Sequence, residues 1–160
     1  MAIGYTLAMK DSRLTEEILF KKLEDMGCKC DNVEKLRNGV SLSFEDNIGF
    51  TVYLTNSGNY PYNIWETELL EDDFTSEKVL EFRINKDYPN YEERYMVIFT
   101  IIFDLMRELM ENAILFNNSN RELCFFRADT TVLLNSKAEI WNQNLFKDFL
   151  VNRDIRYRVK

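Results

Sequence analysis

The chain has 160 residues, 46% of them apolar, and a formal charge of −7. That length suits one domain, which can bury roughly two-thirds of its unfolded surface, and the apolar share excludes a disordered chain. Histidine is absent, which excludes Ser-His-Asp and Cys-His catalysis and puts the usual zinc sets out of reach.

Ile3 to Met9 alternates apolar with small or polar positions and predicts a first strand. Such an opening carries no basic start and apolar run, so no secretory leader is expected. A helix follows over about 15–26. Thr15 can cap it, Glu16 and Glu17 suit its positive end, and Gly27 ends it. Leu14 and Leu19 are placed as a hydrophobic staple. Cys28, Cys30 and Cys124 do not form a disulfide framework; they read as free thiols of a cytoplasmic protein.

Strands are expected at Cys28–Val33, Val40–Glu45 and Phe50–Thr55, with turn chemistry at Asn38-Gly39 and Asp46–Gly49. The stretch 60–75 has little periodicity; Asn63–Leu69 is a candidate strand, and Val79–Ile84 is a clearer one. The strongest helix signal covers about 91–111. Its middle, Tyr95 to Phe103, is apolar almost all round, which implies burial on more than one side. The apolar run Met96–Phe103 is far shorter than the ~20 residues of a membrane span, so a soluble protein is expected. Further strands are expected at Ala113–Phe116, Glu122–Arg127 and Thr131–Asn135, a short helix at Gln143–Leu150, and a strand at Ile155–Val159.

The pattern predicts one α+β domain over 1–160: a largely antiparallel sheet with the two main helices on one face. The order β-α-β-β-β occurs twice and suggests two similar halves, without the residue-level similarity that would establish a repeat.

Glycine-rich phosphate loops are missing from the sequence, and no cofactor or metal is expected. Acidic neighbours leave a carboxylate hydrolase open, although adjacent residues on one element point different ways. The informative feature is charge placement. Between Asn38 and Glu77 there are eight acids and no Lys or Arg, so this segment carries −8 and the rest of the chain about +1. Two readings stand side by side: a solvated acidic loop, or a surface for a basic partner. Aromatic residues woven into the same segment favour the second, since Tyr and Trp are enriched at interface hot spots and carboxylates steer cationic partners. The candidate partner-binding residues are Glu45, Asp46, Tyr60, Tyr62, Trp65, Glu66, Glu68, Glu71, Asp72 and Asp73. Direct nucleic-acid binding is not expected. The basic cluster Arg153, Arg156, Arg158 and Lys160 reads as a solvated strand edge.

The opening Met1–Leu7 with Leu14–Leu19 resembles the start of Sit-type immunity proteins of bacterial polymorphic toxin systems. So do Asn112–Phe116, Glu122–Arg127, Val132–Asn135 and Trp141. In that family a long helix precedes a strand, a strand ending in arginine and a strand ending in asparagine. The resemblance implies a non-catalytic protein that neutralises a cognate toxin domain. It names no functional residue, and residues 28–90 carry none of the likeness. Charge alone suggests a toxin with a basic active-site surface, such as a nuclease. The alternatives are a general interaction or regulatory module acting as a homodimer, and the carboxylate hydrolase.

Overall fold

In the computed structural model, which describes residues 3–87, 89 and 91–160, the chain opens with β1 (Ile3–Met9) and α1 (Glu16–Asp25). The Thr15 side chain accepts from the Ile18 N–H at the start of α1, and Gly27 (φ +80°) turns the chain away at its end. Leu14 and Leu19, the expected staple, are both fully buried. β2 (Asn32–Leu36), β3 (Gly39–Ser43) and β4 (Phe50–Asn56) form a meander. The two-residue strands β5 (Ile64–Trp65) and β6 (Phe74–Thr75) pair with each other. Then come β7 (Lys78–Ile84), α2 (Tyr91–Leu109), β8 (Ala113–Asn117), β9 (Glu122–Phe126) and β10 (Val132–Leu134). A 3₁₀ turn (Glu139–Asn142), α3 (Asn144–Asn152) and β11 (Tyr157–Val159) complete the chain.

Nine strands form one sheet in the order β11-β10-β9-β8-β1-β7-β4-β3-β2. Every pairing is antiparallel except β10 with β11. β1 and β7 form the centre, paired from Ile3↔Ile84 to Met9↔Lys78. The β-α-β-β-β order recurs about this pair, with the two meanders run in opposite senses. β2-β3-β4 comes inward from an edge, whereas β8-β9-β10 goes outward from the centre.

The helices bury one face. Along α2, Ile98, Phe99, Ile101, Ile102, Phe103, Leu105 and Met106 are all at most 3% exposed, as an all-round apolar helix requires. Phe99 meets Tyr5, Trp141, Phe146 and Phe149 edge-on, joining β1, the 3₁₀ turn and α3 to α2. A second, smaller core lies on the other face: Ala8, Ile114, Phe116, Phe125 and Leu133 beneath Trp65, Leu69, Leu70 and Phe74.

Four local expectations are corrected. The strand expected from Cys28 begins only at Asn32, because the Lys29 N–H is tied to the Asn47 side chain and Cys28 is buried as a loop anchor. The strand expected over Asn63–Leu69 shrinks to Ile64–Trp65; beyond it, the backbone donors of Glu68 and Leu69 go to the side chains of Glu122 and Thr67. The second helix stops at Leu109, since Met110 is left-handed (φ 53°) and Arg13 takes the Leu109 and Met110 carbonyls. The first hairpin turns at Arg37-Asn38, not Asn38-Gly39. Gly39 opens β3, where a Cβ would lie 2.0 Å from the Leu54 carbonyl oxygen.

Just past α2, Glu111 is 1% exposed. One carboxylate oxygen accepts the Asp11 N–H; the other meets no donor among the described residues. Burial pushes this carboxyl from its ordinary 4.5 up to about 7, against the opposing pull of the Asp11 amide. The folded state therefore favours the neutral acid, and stability falls as pH rises from the unfolded value through about 7. Glu111→Gln should remove that fall. At pH 8 the variant should be more stable than the parent by on the order of 2 kcal/mol, and at pH 4 the gap should close. Thermal melts across this range check it; parallel pH profiles for the two proteins would refute it.

Candidate protein-binding face

The site is built by the second phase of the strand alternation. In β4 and β7, Phe50, Val52, Leu54, Leu80, Phe82 and Ile84 point into the helical core and are buried. The intervening residues therefore point to the opposite face. Strand register lines them up in cross-strand rows: Arg83–Thr51–Ser43–Asn32, Glu81–Tyr53–Ser41–Glu34 and Val79–Thr55–Gly39–Leu36. On the other half of the same face, β1, β8, β9 and β10 present Ala8, Ile114, Phe116, Phe125 and Leu133. Residues 64–75 cross that apolar half as a strap.

The strap is firmly tied. Trp65 stacks on Phe116, with ring centroids 5.1 Å apart and planes 27° apart, and its Nε1 donates to Ser76 Oγ at 2.9 Å. Phe74 meets Phe125 edge-on at 5.9 Å. The Glu122 carboxylate accepts from Thr67 Oγ1 at 3.0 Å and from the Glu68 N–H at 3.1 Å. Lys160 Nζ donates to the Leu69 carbonyl at 2.9 Å, so the end of the chain also clamps the strap.

Of the candidate residues, Glu66, Glu68, Glu71, Asp72 and Asp73 are exposed on the strap. Tyr60 and Tyr62 are each 80% exposed in the connection that leads from the end of β4 onto it. Trp65 is half-buried and faces the second core. Glu45 and Asp46 lie apart from the rest, at the turn between β3 and β4. Glu45 accepts from Thr51 Oγ1 at 3.0 Å, which holds its carboxylate on the face opposite the helices. Four strand spacings separate β4 from β9, roughly 20 Å, so this pair and the strap carboxylates do not form one cluster. Lys137 pairs with Glu68 at 3.0 Å with both side chains well exposed, an arrangement worth little against solvent. Between the strap and the β8–β9 turn an open cleft of about 640 Å³ is lined by Glu66, Glu68, Asp73, Arg121, Glu122 and Asn135 among others.

The sequence reading missed Glu122, whose side chain organises the strap, and the outward rows of the other half-sheet. Alternation in 50–56 and 78–84 carried the second signal; only the sheet order could supply the first. Among the described residues no group of three or more Cys, Asp or Glu could hold a metal ion, and no helix is long and apolar enough to cross a membrane.

The model of the SitI3-like family matches residues 3–145. The chain belongs to this family of Sit-type immunity proteins. The match takes in the whole strap and the 28–90 region, where the sequence by itself carried no likeness, and leaves β11 outside. No curated protein and no solved structure matches the chain. Membership of an immunity family implies a protein partner and suggests a non-enzymatic role.

The strap makes Trp65 and the two tyrosines separable. Trp65→Ala should destabilise the fold by about 3 kcal/mol, because it removes a stacked ring and leaves Ser76 short of a donor. Tyr60→Ala and Tyr62→Ala should each stay within about 0.5 kcal/mol of the parent. Urea denaturation distinguishes the two classes; equal effects would contradict the packing described.

Proposed function

We propose that the protein neutralises a cognate bacterial toxin by binding and occluding it through the acidic, tyrosine-bearing face opposite the helices. Family membership supports an immunity role. The observation that carries the choice of face is the strap: exposed carboxylates on a segment anchored at Trp65, Thr67, Leu69 and Phe74, with two exposed tyrosines in the connection that leads onto it. An inhibitor benefits from a preformed surface, because ordering a loop on binding subtracts from affinity. Surplus negative charge raises the encounter rate with a cationic partner, and aromatic anchors slow its release. A toxin with a basic active-site surface fits that chemistry, and the toxin's cell of origin would hold the immunity protein in its cytoplasm.

The test is genetic first. A gene for a large toxin-like protein should adjoin this one, and co-expression of this chain should rescue cells from that protein's C-terminal domain. Killing that this chain does not relieve would remove the proposal. In the purified pair, replacing Glu71, Asp72 and Asp73 by Gln, Asn and Asn should lower the association rate several-fold at low salt and flatten its salt dependence. The dissociation rate should change by less than about twofold, since exposed charges act mainly on encounter. Stopped-flow binding at two salt concentrations checks both rates; an unaltered association rate would reduce the strap carboxylates to solvated surface.

A further inference from the structure

The half-sheet made by β7, β4, β3 and β2 has no cover on the side away from the helices among the described residues. Tyr53, Thr51, Thr55 and Glu81 are half-exposed there, and Arg83 and Glu34 are exposed. We infer that this bare half-sheet is a docking floor for a lysine- or arginine-bearing segment of the partner protein, with the strap as its side wall. The inference rests on the toxin-binding reading and deepens it, because none of these residues belongs to the strap.

Three observations support a cationic occupant. The central row, Glu34–Ser41–Tyr53–Glu81, has a carboxylate at each end and the half-exposed Tyr53 hydroxyl between, with Ser41 buried beneath its neighbours, so its accessible polar groups include acceptors at both ends. Arg83 is the one cation in the outward rows of this half-sheet, and it is already engaged. Its Nε donates to Glu81 at 3.0 Å, and its guanidinium lies 5.1 Å from the Tyr53 ring centroid. With Glu45 held against Thr51 at the upper rim, the floor keeps a surplus of carboxylate. A second copy of this chain would set like charge against like, and a nucleic acid would bring phosphates to carboxylates; a Lys/Arg segment meets neither penalty.

Size agrees. Four strands span roughly 14 Å and five to seven residues roughly 20 Å, so the floor offers on the order of 300 Å². A stable complex takes about 800 Å² from each partner. The floor alone is too small, and the strap's outer surface must join it. Tyr60 and Tyr62 lie in the connection between β4 and β5, at the boundary of the two surfaces.

The experiment uses the full chain and, as probe, the purified C-terminal domain of the toxin-like protein encoded beside it. Thr55→Arg adds bulk and positive charge at the floor; Glu34→Lys reverses one end of the acceptor row on the exposed edge strand. Lys147→Glu, on α3 across the sheet, is the control. Melting curves establish folding, and Tyr53→Thr stands in should Thr55→Arg fail to fold. Titration calorimetry should give a Kd at least tenfold weaker for Thr55→Arg, three- to tenfold weaker for Glu34→Lys, and within twofold of the parent for Lys147→Glu. Floor variants that bind like the parent would overturn the assignment and leave the toxin reading standing. A parent that fails to bind the toxin domain removes both. A dimer by light scattering that Thr55→Arg converts to monomer would give the floor to a second copy and overturn the assignment.

Discussion

A nine-stranded sheet has two faces to bury, and among the described residues the helices cover only one of them. How the second face is finished depends on which residues the strands send outward. On β1, β8, β9 and β10 they are chiefly apolar, and leaving Ile114, Phe116, Phe125 and Leu133 to water would cost about 1.5–3 kcal/mol each. On β7, β4, β3 and β2 they are mostly hydroxyl, carboxylate, amide and guanidinium groups, with Val79 and Leu36 in one row, and solvent reaches most of them. One sheet therefore needs a strap over half its outer face and needs none over the other half. The step between the halves follows from the alternation.

The strap's own chemistry is consistent with that demand. Its inward side chains, Trp65, Leu69 and Phe74, match the apolar half-sheet, while its backbone has little regular structure to satisfy its amides. Side chains take that part: Glu122 and Thr67 accept the donors of 67–69, and Ser76 joins Trp65 to Ser57. At the other end of the sheet a comparable problem is solved by Arg94. Fully buried on α2, it donates to the carbonyls of Gly49 and Asn85, so the end of β7 and the β3–β4 turn are held to the same helix. Both faces are thus fixed by a few polar groups set among apolar packing, where an unmade hydrogen bond is costly.

The sequence made much of this legible. The strands Ile3–Met9 and Val79–Ile84, the capped first helix and the all-round apolar second helix follow from period, Thr15 and Gly27, because local chemistry decides them. The strap did not follow. Its fold depends on Glu122, which lies 54 residues beyond Glu68 in sequence and reaches it only once β9 is in place. Gly39 illustrates the same limit. Its neighbour Asn38 makes it look like a turn glycine, yet the close Leu54 carbonyl of β4 is what requires it. Of the candidate site, the acids and tyrosines were visible as composition. The separation of Glu45 and Asp46 from the strap was not, because it is set by strand order.

Charge and shape divide the work of such a face. A solvent-exposed ion pair contributes about 0.2–1 kcal/mol, and pairs like Glu68 with Lys137 lose part of that to salt. A nanomolar complex requires about 12 kcal/mol. Even if every exposed strap carboxylate found a cation, the sum would fall well short of that figure, so the acids can hasten an encounter but cannot hold a partner. Holding requires desolvated area around anchors; the connection onto the strap offers Tyr60 and Tyr62, and the bare half-sheet offers Tyr53. A partner that touched the strap alone would be steered quickly and released quickly. One that also lay across β7, β4 and β3 would bury the flat, rigid area that slow release needs, so under the proposed mode of binding the uncovered half-sheet would matter more to affinity than the acidic segment that first draws attention.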